Sequence, residues 1–311
     1  MGKAIREVYG EALAKYGKDD ERIVALDADL SGSTKSAIFG KACPERFLNV
    51  GIAESNMVGM AAGLASVGKI PFVNTFTVFL TTLGLCAARA FGSYSQLPIK
   101  FAGAYGGMSD AFDGPSHHAL EDIAVMRSLA NVQVFVPCDA VQTEWLVKYA
   151  IDTPKPIYLR LSRDKFKDLY TSETEFAPGK GIVVREGTDI TVIACGLMVG
   201  NAIDAAEELA KEGISVRVVD MFSIKPIDEA LIVRCAKETG AIVSAEEHNI
   251  YGGLGSAVAE VLTKHGCGVT QGFVGVNDCH GECGPYKKLL AKYGLDANAI
   301  ANKVRETLAK K

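Results

Sequence analysis

Three segments of the sequence bring together side chains that could do chemistry, and the first surrounds Glu54. Glu54 opens a predicted helix that extends to Val67 and is expected to be buried, because its other residues are mostly small and apolar. Burying a lone carboxylate is unfavourable, so such a residue usually has a partner or a catalytic task. The same residue could instead cap the helix near the positive end of its dipole. The local pattern leaves both interpretations open and slightly favours the cap.

The second segment is a pair of phenylalanines, Phe76 and Phe79, directly after a predicted strand. Residues three apart can share one face of a helical turn and present a flat aromatic wall. Taken alone, such a pair is more often part of an ordinary hydrophobic core.

The third segment is a glycine-rich loop, residues 103–118, which contains Tyr105, Asp113 and His117. Ligand sites in open α/β sheets lie at the carboxyl ends of the strands, and this loop follows a predicted strand. Purely structural loops seldom concentrate so many titratable side chains. A functional role is therefore the favoured interpretation.

Two smaller features suit an anion. Asp29 and Ser33 lie in a turn after the first predicted strand, where hydroxyls and backbone amides are available. Arg163 ends the last strand of the first half and could bind a phosphate with its forked guanidinium. It could equally pair with Asp164 or another surface carboxylate.

Metal and nucleophile chemistry fit the sequence poorly. Residues 278–284 contain two thiols and an imidazole, but zinc sites usually need four ligands in two separated pairs. The sequence has no nucleophile elbow of the type Gly-x-Ser-x-Gly with suitable partners. It also lacks Gly-x-Gly-x-x-Gly after the first strand. We predict no metal ligand in this chain.

These residues need strands and helices to position them, and the sequence predicts both. Short β-branched runs alternate with helix-like segments, which indicates an α/β protein of two domains with mostly parallel sheets flanked by helices. The predicted elements include a strand at 157–161 and helices at 83–95 and 140–151. A charged stretch with Pro178-Gly179 interrupts the alternation and is expected to be a surface linker. The predicted parts are a first domain at 1–165, a linker at 166–185 and a second domain at 186–311.

Composition excludes several other classes of protein. The chain has 311 residues, 48% hydrophobic and 23% charged, with a formal net charge of −4 and no basic block that would suggest nucleic acid. No apolar run reaches the roughly 20 residues that span a bilayer. The spacing of the eight cysteines, including Cys279 and Cys283, does not suggest a disulfide framework. We therefore predict reduced, mostly buried thiols in a cytoplasmic protein.

Together these segments resemble the second half of transketolase, in order and spacing across nearly the whole chain. Each segment resembles a motif of that family: residues 51–54 its Gly-Val-Arg-Glu-His, 75–79 its pyrimidine-stacking segment, 113–117 its Asp-Gly-Pro-Thr-His, 161–163 its Leu-Ser-Arg and 28–33 its Ala-Asp-Leu-Thr-Pro-Ser. The first predicted domain would then bind the pyrimidine of thiamine diphosphate, and the second would be the transketolase C-terminal domain.

The resemblance implies a role for each site residue. Glu54 would hydrogen-bond the pyrimidine nitrogen and promote the cofactor carbanion, which moves a two-carbon ketol unit from a ketose phosphate to an aldose phosphate. Phe76 and Phe79 would wall the pyrimidine, with Asp29 close to the cofactor. His117, as a second catalytic residue, would meet the donor sugar together with Asp113 and Tyr105, while Ser33 and Arg163 would hold its phosphate.

The resemblance also implies a partner. The family's diphosphate-binding motif, Gly-Asp-Gly with a downstream Asn, does not occur in the sequence. We therefore expect the C-terminal subunit of a split transketolase of the pentose phosphate pathway. Its N-terminal partner subunit would bind the diphosphate and magnesium or calcium, in a heterotetramer containing a homodimer of this chain. The alternatives are a deoxyxylulose-phosphate synthase-like subunit, a 2-oxoacid decarboxylase beta-type subunit and a non-catalytic regulatory subunit.

Three positions depart from the family pattern. Thr82 replaces a common tyrosine beyond Phe79, so another residue must complete the aromatic wall or the wall is thinner there. Tyr105 stands where many members have a histidine, which puts the donor preference in question. Ser55 replaces the histidine after the glutamate, without an evident reason.

Overall fold

The structure is a computed structural model that describes residues 2–311, and its first sheet has seven strands. These strands are β1 (Ile23–Asp27), β2 (Phe47–Asn49), β3 (Ile70–Phe76), β4 (Lys100–Ala104), β5 (Gln133–Phe135), β6 (Ile157–Leu161) and β10 (Ser223–Lys225). Their spatial order is β10-β5-β6-β4-β3-β1-β2. All neighbours are parallel except β10, which runs antiparallel to β5.

A second sheet has five strands. They are β7 (Ile182–Arg185), β8 (Ile190–Ala194), β9 (Val216–Asp220), β11 (Ala241–Asn249) and β12 (Thr270–Val276). The order is β12-β11-β8-β9-β7, and only β7 is antiparallel to its neighbour. The two sheets confirm the predicted α/β class with mostly parallel strands.

Helices cover both sheets. They are α1 (Ile5–Asp19), α2 (Ser31–Thr34), α3 (Ala37–Ala42), α4 (Glu54–Ser66), α5 (Thr77–Thr82), α6 (Leu85–Ala87), α7 (Asp122–Ser128), α8 (Ala140–Asp152), α9 (Leu197–Ala210), α10 (Glu229–Thr239), α11 (Leu254–Lys264), α12 (Tyr286–Lys292) and α13 (Ala297–Leu308). A 3₁₀ turn at Pro44–Arg46 and a π-helix at Ala88–Tyr94 complete the set. Within residues 2–311, no helix is long and apolar enough to cross a membrane.

The central strands are buried at every position, which is why their sequences read as apolar runs rather than as alternating patterns. All residues of β1, β3, β4 and β6 are buried. Helices on both faces of a parallel sheet produce this burial. The carboxyl ends of these strands therefore form a rigid edge on which side chains can be positioned.

Two helices differ from the prediction. The single helix predicted at 83–95 consists of α6 followed by the π-helix, in which a Cβ at Gly92 would stand 2.8 Å from Phe101. π-Helices are rare, and a pattern of apolar spacing does not distinguish one from an α-helix. Helix α4 was predicted to be buried, but Ser55, Asn56 and Met60 are exposed along one face.

The chain crosses between the two sheets after residue 220. Strand β10 belongs to the second half of the sequence but pairs with β5 at the edge of the first sheet. The two strands are antiparallel, with Ser223 opposite Phe135. The predicted linker contains β7, while residues 162–181 have neither helix nor strand. The domain limits at 165 and 185 stay a prediction.

The cysteines are less buried than the sequence suggested. All eight are free, but only Cys43, Cys138, Cys195 and Cys235 are buried. The exposed ones include Cys279 and Cys283 of the segment that resembled a partial zinc motif.

Candidate active site

The predicted site residues all follow strand ends of the first sheet. The set comprises Asp29 and Ser33 after β1, Glu54 after β2, Phe76 and Phe79 at the end of β3, Tyr105, Asp113 and His117 after β4, and Arg163 after β6. Because these strands are parallel, their carboxyl ends meet at one edge. The sequence separation of these residues is large, but the sheet order brings most of them together.

Glu54 is the first residue of α4 and is only 3% exposed. Its Oε1 accepts a hydrogen bond of 3.1 Å from the hydroxyl of buried Thr75, and no donor among the described residues reaches Oε2. No side-chain cap bond is made at the start of α4, whose N-cap is Ala53. The carboxylate therefore does not serve as a hydrogen-bonding cap, and no cation of the described residues pairs with it.

Three aromatic rings form a continuous wall at the end of β3, the strand whose Thr75 bonds to Glu54. Phe76 stacks with Phe79 at a centroid distance of 5.9 Å and an interplanar angle of 21°. Tyr105 packs on Phe76 at 4.3 Å. His117 meets both phenylalanines edge-on, at 6.0 and 5.4 Å. Tyr105 thus extends the wall, whereas Thr82 is exposed and donates its hydroxyl to the Val78 carbonyl.

Tyr105 has a backbone φ of +62°, a left-handed conformation that bulky residues rarely adopt. Two arginines hold it there. Arg6 Nη1 donates to the Tyr105 hydroxyl and to the Ser33 carbonyl, the latter at 2.7 Å. The guanidinium carbons of Arg6 and Arg163 lie 5.0 and 5.3 Å from the ring centroid, within cation–π range.

Arg163 also pairs with Asp110, a fully buried carboxylate of the glycine-rich loop, at 2.9 Å. Burial and the nearby Asp113 raise the pKa of Asp110 to about 6, while Arg163 and His117 oppose the shift. Ligand atoms of Asp110, Asp113 and His117 lie within 4.8 Å of one another. The loop therefore gathers two carboxylates and an imidazole next to the aromatic wall.

A cavity of about 330 Å³ opens beside this cluster. Its cationic lining residues are Arg6, Arg163 and Lys165, and its acidic ones are Glu7 and Asp164. Such a cavity can accept a small anion at the arginines. A larger cavity of about 570 Å³, lined by residues of α10 and His265, contains none of the predicted site residues.

Asp29 is the predicted site residue least connected to the others. It is exposed, has a φ of +65° and accepts a hydrogen bond of 2.8 Å from Asn49. Its neighbour Asp27 is buried and accepts hydrogen bonds from the Leu30 amide and from the hydroxyls of Thr34 and Ser36, at 2.6, 2.8 and 2.7 Å. These bonds shape the turn that presents Asp29 and Ser33.

Sequence reasoning missed Arg6, Thr75 and Asp110. Arg6 belongs to an ordinary amphipathic helix, α1, where an arginine normally faces solvent, so no local signal distinguishes it. Thr75 precedes Phe76 in a motif whose recognisable signal is its two rings. Asp110 did carry a signal, since a second carboxylate stands three residues before Asp113 in the same loop.

Comparison with known proteins covers nearly all of the chain. The family model described as the transketolase pyrimidine binding domain matches residues 1–168, and that of the transketolase C-terminal domain matches residues 179–300. A protein of Methanocaldococcus jannaschii, provisionally named a transketolase C-terminal section, is 42% identical, with 99% of this chain and 97% of that protein covered.

Two further relatives also match this chain along nearly their whole length. A 6-deoxy-6-sulfo-D-fructose transketolase subunit of a Clostridium species is 39% identical, with 99% of this chain and 95% of that protein covered. A solved structure described as a split gene transketolase, an inactive beta4 tetramer, is 48% identical over 99% of both chains and superposes with a TM-score of 0.91.

Proposed function

The chain belongs to the transketolase family, and we propose that it is the C-terminal subunit of a two-chain transketolase. In this proposal the subunit transfers a two-carbon ketol unit from a ketose phosphate to an aldose phosphate. The observation that carries the proposal is the pairing of two features at the strand ends: Glu54, a buried carboxylate with an unpartnered oxygen, and the aromatic wall of Phe76, Phe79 and Tyr105.

Members of this family depend on thiamine diphosphate, and the residues present suit its pyrimidine ring. A flat heteroaromatic ring needs an aromatic surface and an acceptor at its protonated nitrogen. The stacked phenylalanines offer the first, and the unpartnered Oε2 of Glu54 offers the second. The cofactor supplies the nucleophilic carbon that carries the two-carbon unit between sugars.

Within this assignment the carboxylate of Glu54 would accept a hydrogen bond from the protonated nitrogen of the pyrimidine ring. Thr75 fixes Oε1, so the other oxygen keeps one direction. The Glu54 side chain as a whole is only 3% exposed, and an electrostatic interaction is stronger in such a site than in solvent.

The donor sugar is assigned to the loop after β4 and its two arginines. Asp113 and His117 would meet the hydroxyls and carbonyl region of the sugar, next to Tyr105. Arg163, with Ser33 and the additional Arg6, would bind the phosphate, because arginines bind phosphate in a forked, charge-assisted geometry. The pairing of Arg163 with Asp110 supports this assignment, since it fixes a guanidinium that lines the cavity.

The proposal includes an N-terminal partner subunit that would bind the diphosphate and magnesium or calcium. Two observations support it: the relatives that match along their whole length include a C-terminal section and a subunit, and the similar solved tetramer of one chain type is described as inactive. Exposed apolar side chains near the site, Ile52 at 82% and Leu83 at 58%, suit a subunit contact. A heterotetramer around a homodimer of this chain, a place in the pentose phosphate pathway and a cytoplasmic location stay predictions.

The test is reconstitution with the N-terminal subunit and an assay of ketol transfer. The wild-type pair should be active only with thiamine diphosphate, and Glu54→Gln should abolish transfer while leaving the unfolding temperature of the chain nearly unchanged. Gln is isosteric but carries no negative charge and cannot exchange a proton with the ring, so the change isolates the carboxylate.

Near-normal turnover by the Glu54→Gln pair would reject the assignment of Glu54. Release of carbon dioxide from pyruvate in place of ketol transfer would instead indicate a deoxyxylulose-phosphate synthase-like reaction. Absence of any thiamine-dependent turnover with a folded partner would favour a regulatory subunit.

A further inference from the structure

The glycine-rich loop that carries Asp113 and His117 is closed at its neck by a pair of backbone hydrogen bonds. The Gly107 amide donates to the Ala119 carbonyl, and the Ala119 amide donates to the Gly107 carbonyl, both at 3.0 Å. Between these residues the chain forms no helix or strand. The orientation of the loop therefore depends on the groups that hold its neck.

Glu247, from β11 of the second sheet, holds one side of the neck. Its Oε1 accepts a hydrogen bond of 2.7 Å from the Met108 amide, and the side chain is buried. The carboxylate lies so close to the loop that a Cβ at Gly107 would stand 2.2 Å from the Glu247 carboxyl carbon. Gly107, with a φ of +70°, is the residue type that permits this approach.

Arg160, from β6, holds the other side of the neck. Its Nη2 donates to the carbonyls of Ala119 and Glu247, at 3.2 and 2.9 Å. Arg160 is in turn fixed by buried Asp122, whose Oδ2 accepts from Arg160 Nε and from the Tyr158 hydroxyl, each at 2.7 Å. A buried network of this kind is rigid, because removing one member leaves another charge unpaired.

Burying the Glu247 carboxylate is unfavourable, and no hydrogen bond from the described strands of its own sheet compensates for it. Burial raises the pKa of its carboxyl to about 7, although Arg160 and the Met108 amide oppose the shift. The adjacent Glu246 is a contrast: it accepts hydrogen bonds from the Leu254 and Gly255 amides, at 2.7 and 2.8 Å, and so serves α11. The hydrogen bond that Glu247 accepts serves the loop instead.

The segment after β12 supports the tip of the same loop. The Gly284 amide donates to the Ala111 carbonyl at 2.9 Å. Cys283 packs against Gly114, where a Cβ would stand 2.3 Å from its sulfur. The C-terminal half of the chain thus contacts the loop at both its neck and its tip.

We propose that Glu247 is a positioning residue through which the C-terminal half of the chain fixes Asp113 and His117 against the donor sugar. This inference rests on the proposed transketolase function, in which those two side chains bind the donor. Glu54 and Phe76 reach the site from other elements, so a displaced loop weakens donor binding without weakening cofactor binding.

The experiment compares three variants of the full chain, reconstituted with the N-terminal subunit. Glu247→Ala should raise the KM for the ketose phosphate about tenfold or more, because small misplacements of contact groups are costly. The thiamine diphosphate concentration for half-maximal activity should stay unchanged. Glu247→Gln, whose Oε1 can still accept from Met108, should restore the KM. Glu246→Ala is the matched control, expected to lower stability but to keep the wild-type KM.

A wild-type KM in folded Glu247→Ala, or an equal rise in Glu246→Ala, would overturn the proposal. Hydrogen exchange of residues 106–118 gives a second readout on the unreconstituted chain. It should become faster in Glu247→Ala and not in Glu246→Ala, and unchanged exchange would also reject the proposal. If Glu247→Ala does not fold, Glu247→Asp, too short to reach the Met108 amide, replaces it in both measurements.

Failure of the proposed function is distinguishable from failure of this inference. If the wild-type pair has no ketol transfer but the exchange difference appears, the transketolase assignment fails and the positioning of the loop stands. If the wild-type pair shows normal transfer and Glu247→Ala changes neither the hydrogen exchange nor the KM, the transketolase assignment stands and the positioning role of Glu247 fails.

Discussion

At the level of single residues, Glu54 and Arg163 differ in burial and in the charge of their partners. Glu54 is buried with a neutral partner, Thr75, which leaves its negative charge uncompensated within the described chain. Such a charge is unfavourable in the folded protein until a ligand donor meets it. Arg163 is half-exposed and shares its charge with Asp110, so it is held in place but remains accessible from the cavity.

Arg163→Ala should mainly raise the KM for phosphorylated sugars, because it removes the forked donor to the phosphate. Loss of a charge-assisted contact of about 1.5–3 kcal/mol corresponds to roughly a ten- to hundredfold increase. Steady-state kinetics of the reconstituted enzyme would measure it, with an unphosphorylated ketose as the comparison substrate.

Lys165→Ala is the control for this prediction, since Lys165 lines the same cavity but makes no side-chain bond to Tyr105 or Asp110. Its effect on the KM should be smaller. An unchanged KM in folded Arg163→Ala, or an equal rise with the unphosphorylated sugar, would remove Arg163 from the phosphate site.

At the level of elements, the start of α8 joins two parts of the chain. Asp139 is buried and its Oδ1 caps α8 by accepting from the Gln142 amide at 2.8 Å. Its Oδ2 accepts from the amides of Leu169 and Tyr170, in the segment that connects the sheets, at 3.1 and 2.8 Å. One carboxylate thus fixes a helix of the first domain and the connection that follows it.

Asp139→Ala should lower the free energy of unfolding by about 2 kcal/mol, because it removes a cap and leaves buried amides unpaired. Asp296→Ala is the matched control, since Asp296 caps α13 through a single bond to the Ala299 amide at 2.9 Å. Its loss should cost about 1 kcal/mol. Urea denaturation of both variants would measure the difference, and equal losses would show that the linker bonds contribute nothing.

At the level of the whole molecule, a buried polar cluster around Asp220 joins the two sheets. Asp220 ends β9, and its Oδ2 accepts hydrogen bonds from the side-chain Nε2 of Gln142 and from the Tyr170 hydroxyl, both at 2.8 Å. The Cys138 thiol lies 3.3 Å from the same oxygen. Gln142 belongs to α8 and Tyr170 to the connecting segment, so the cluster and β10 both tie the second half of the chain to the first.

The stability of this junction should depend on pH. Burial raises the pKa of Asp220 from 3.8 to about 6, although Gln142, Tyr170 and Cys138 oppose the shift. A carboxyl with a raised folded-state pKa binds its proton more tightly when folded, so its contribution to stability is complete below pH 3.8 and is lost as pH rises through about 6.

Asp220→Asn removes this titration. The free energy of unfolding of the wild type minus that of Asp220→Asn should therefore fall between pH 4 and pH 7, a range that follows from the same shift. Chemical denaturation of both proteins across the range would measure it. A difference that is constant or rises with pH would contradict the assignment of the raised pKa to Asp220.

The regular elements were predictable wherever a local pattern was strong. The strand at 157–161 and the start of α4 at Glu54 were predicted at the observed residues, and the predicted α8 ended one residue early. The π-helix and β10 were not predicted. The π-helix packs Gly92 closely against Phe101 of β4, and β10 pairs with a strand that lies far away in the sequence, so neither carries a local signal.

The sequence by itself determined the family and the candidate site residues, because the motifs of this site are short, local runs that follow strand ends. It could not decide whether Glu54 was a cap, since that depends on Thr75, which is 21 residues away in the sequence. Only the tertiary structure united Arg6, Tyr105 and Arg163, and only it linked Glu247 to Met108 across 139 residues. The physical reason is the same in each case: local patterns fix local conformation, whereas burial and hydrogen-bond partners depend on which distant segments the fold packs together.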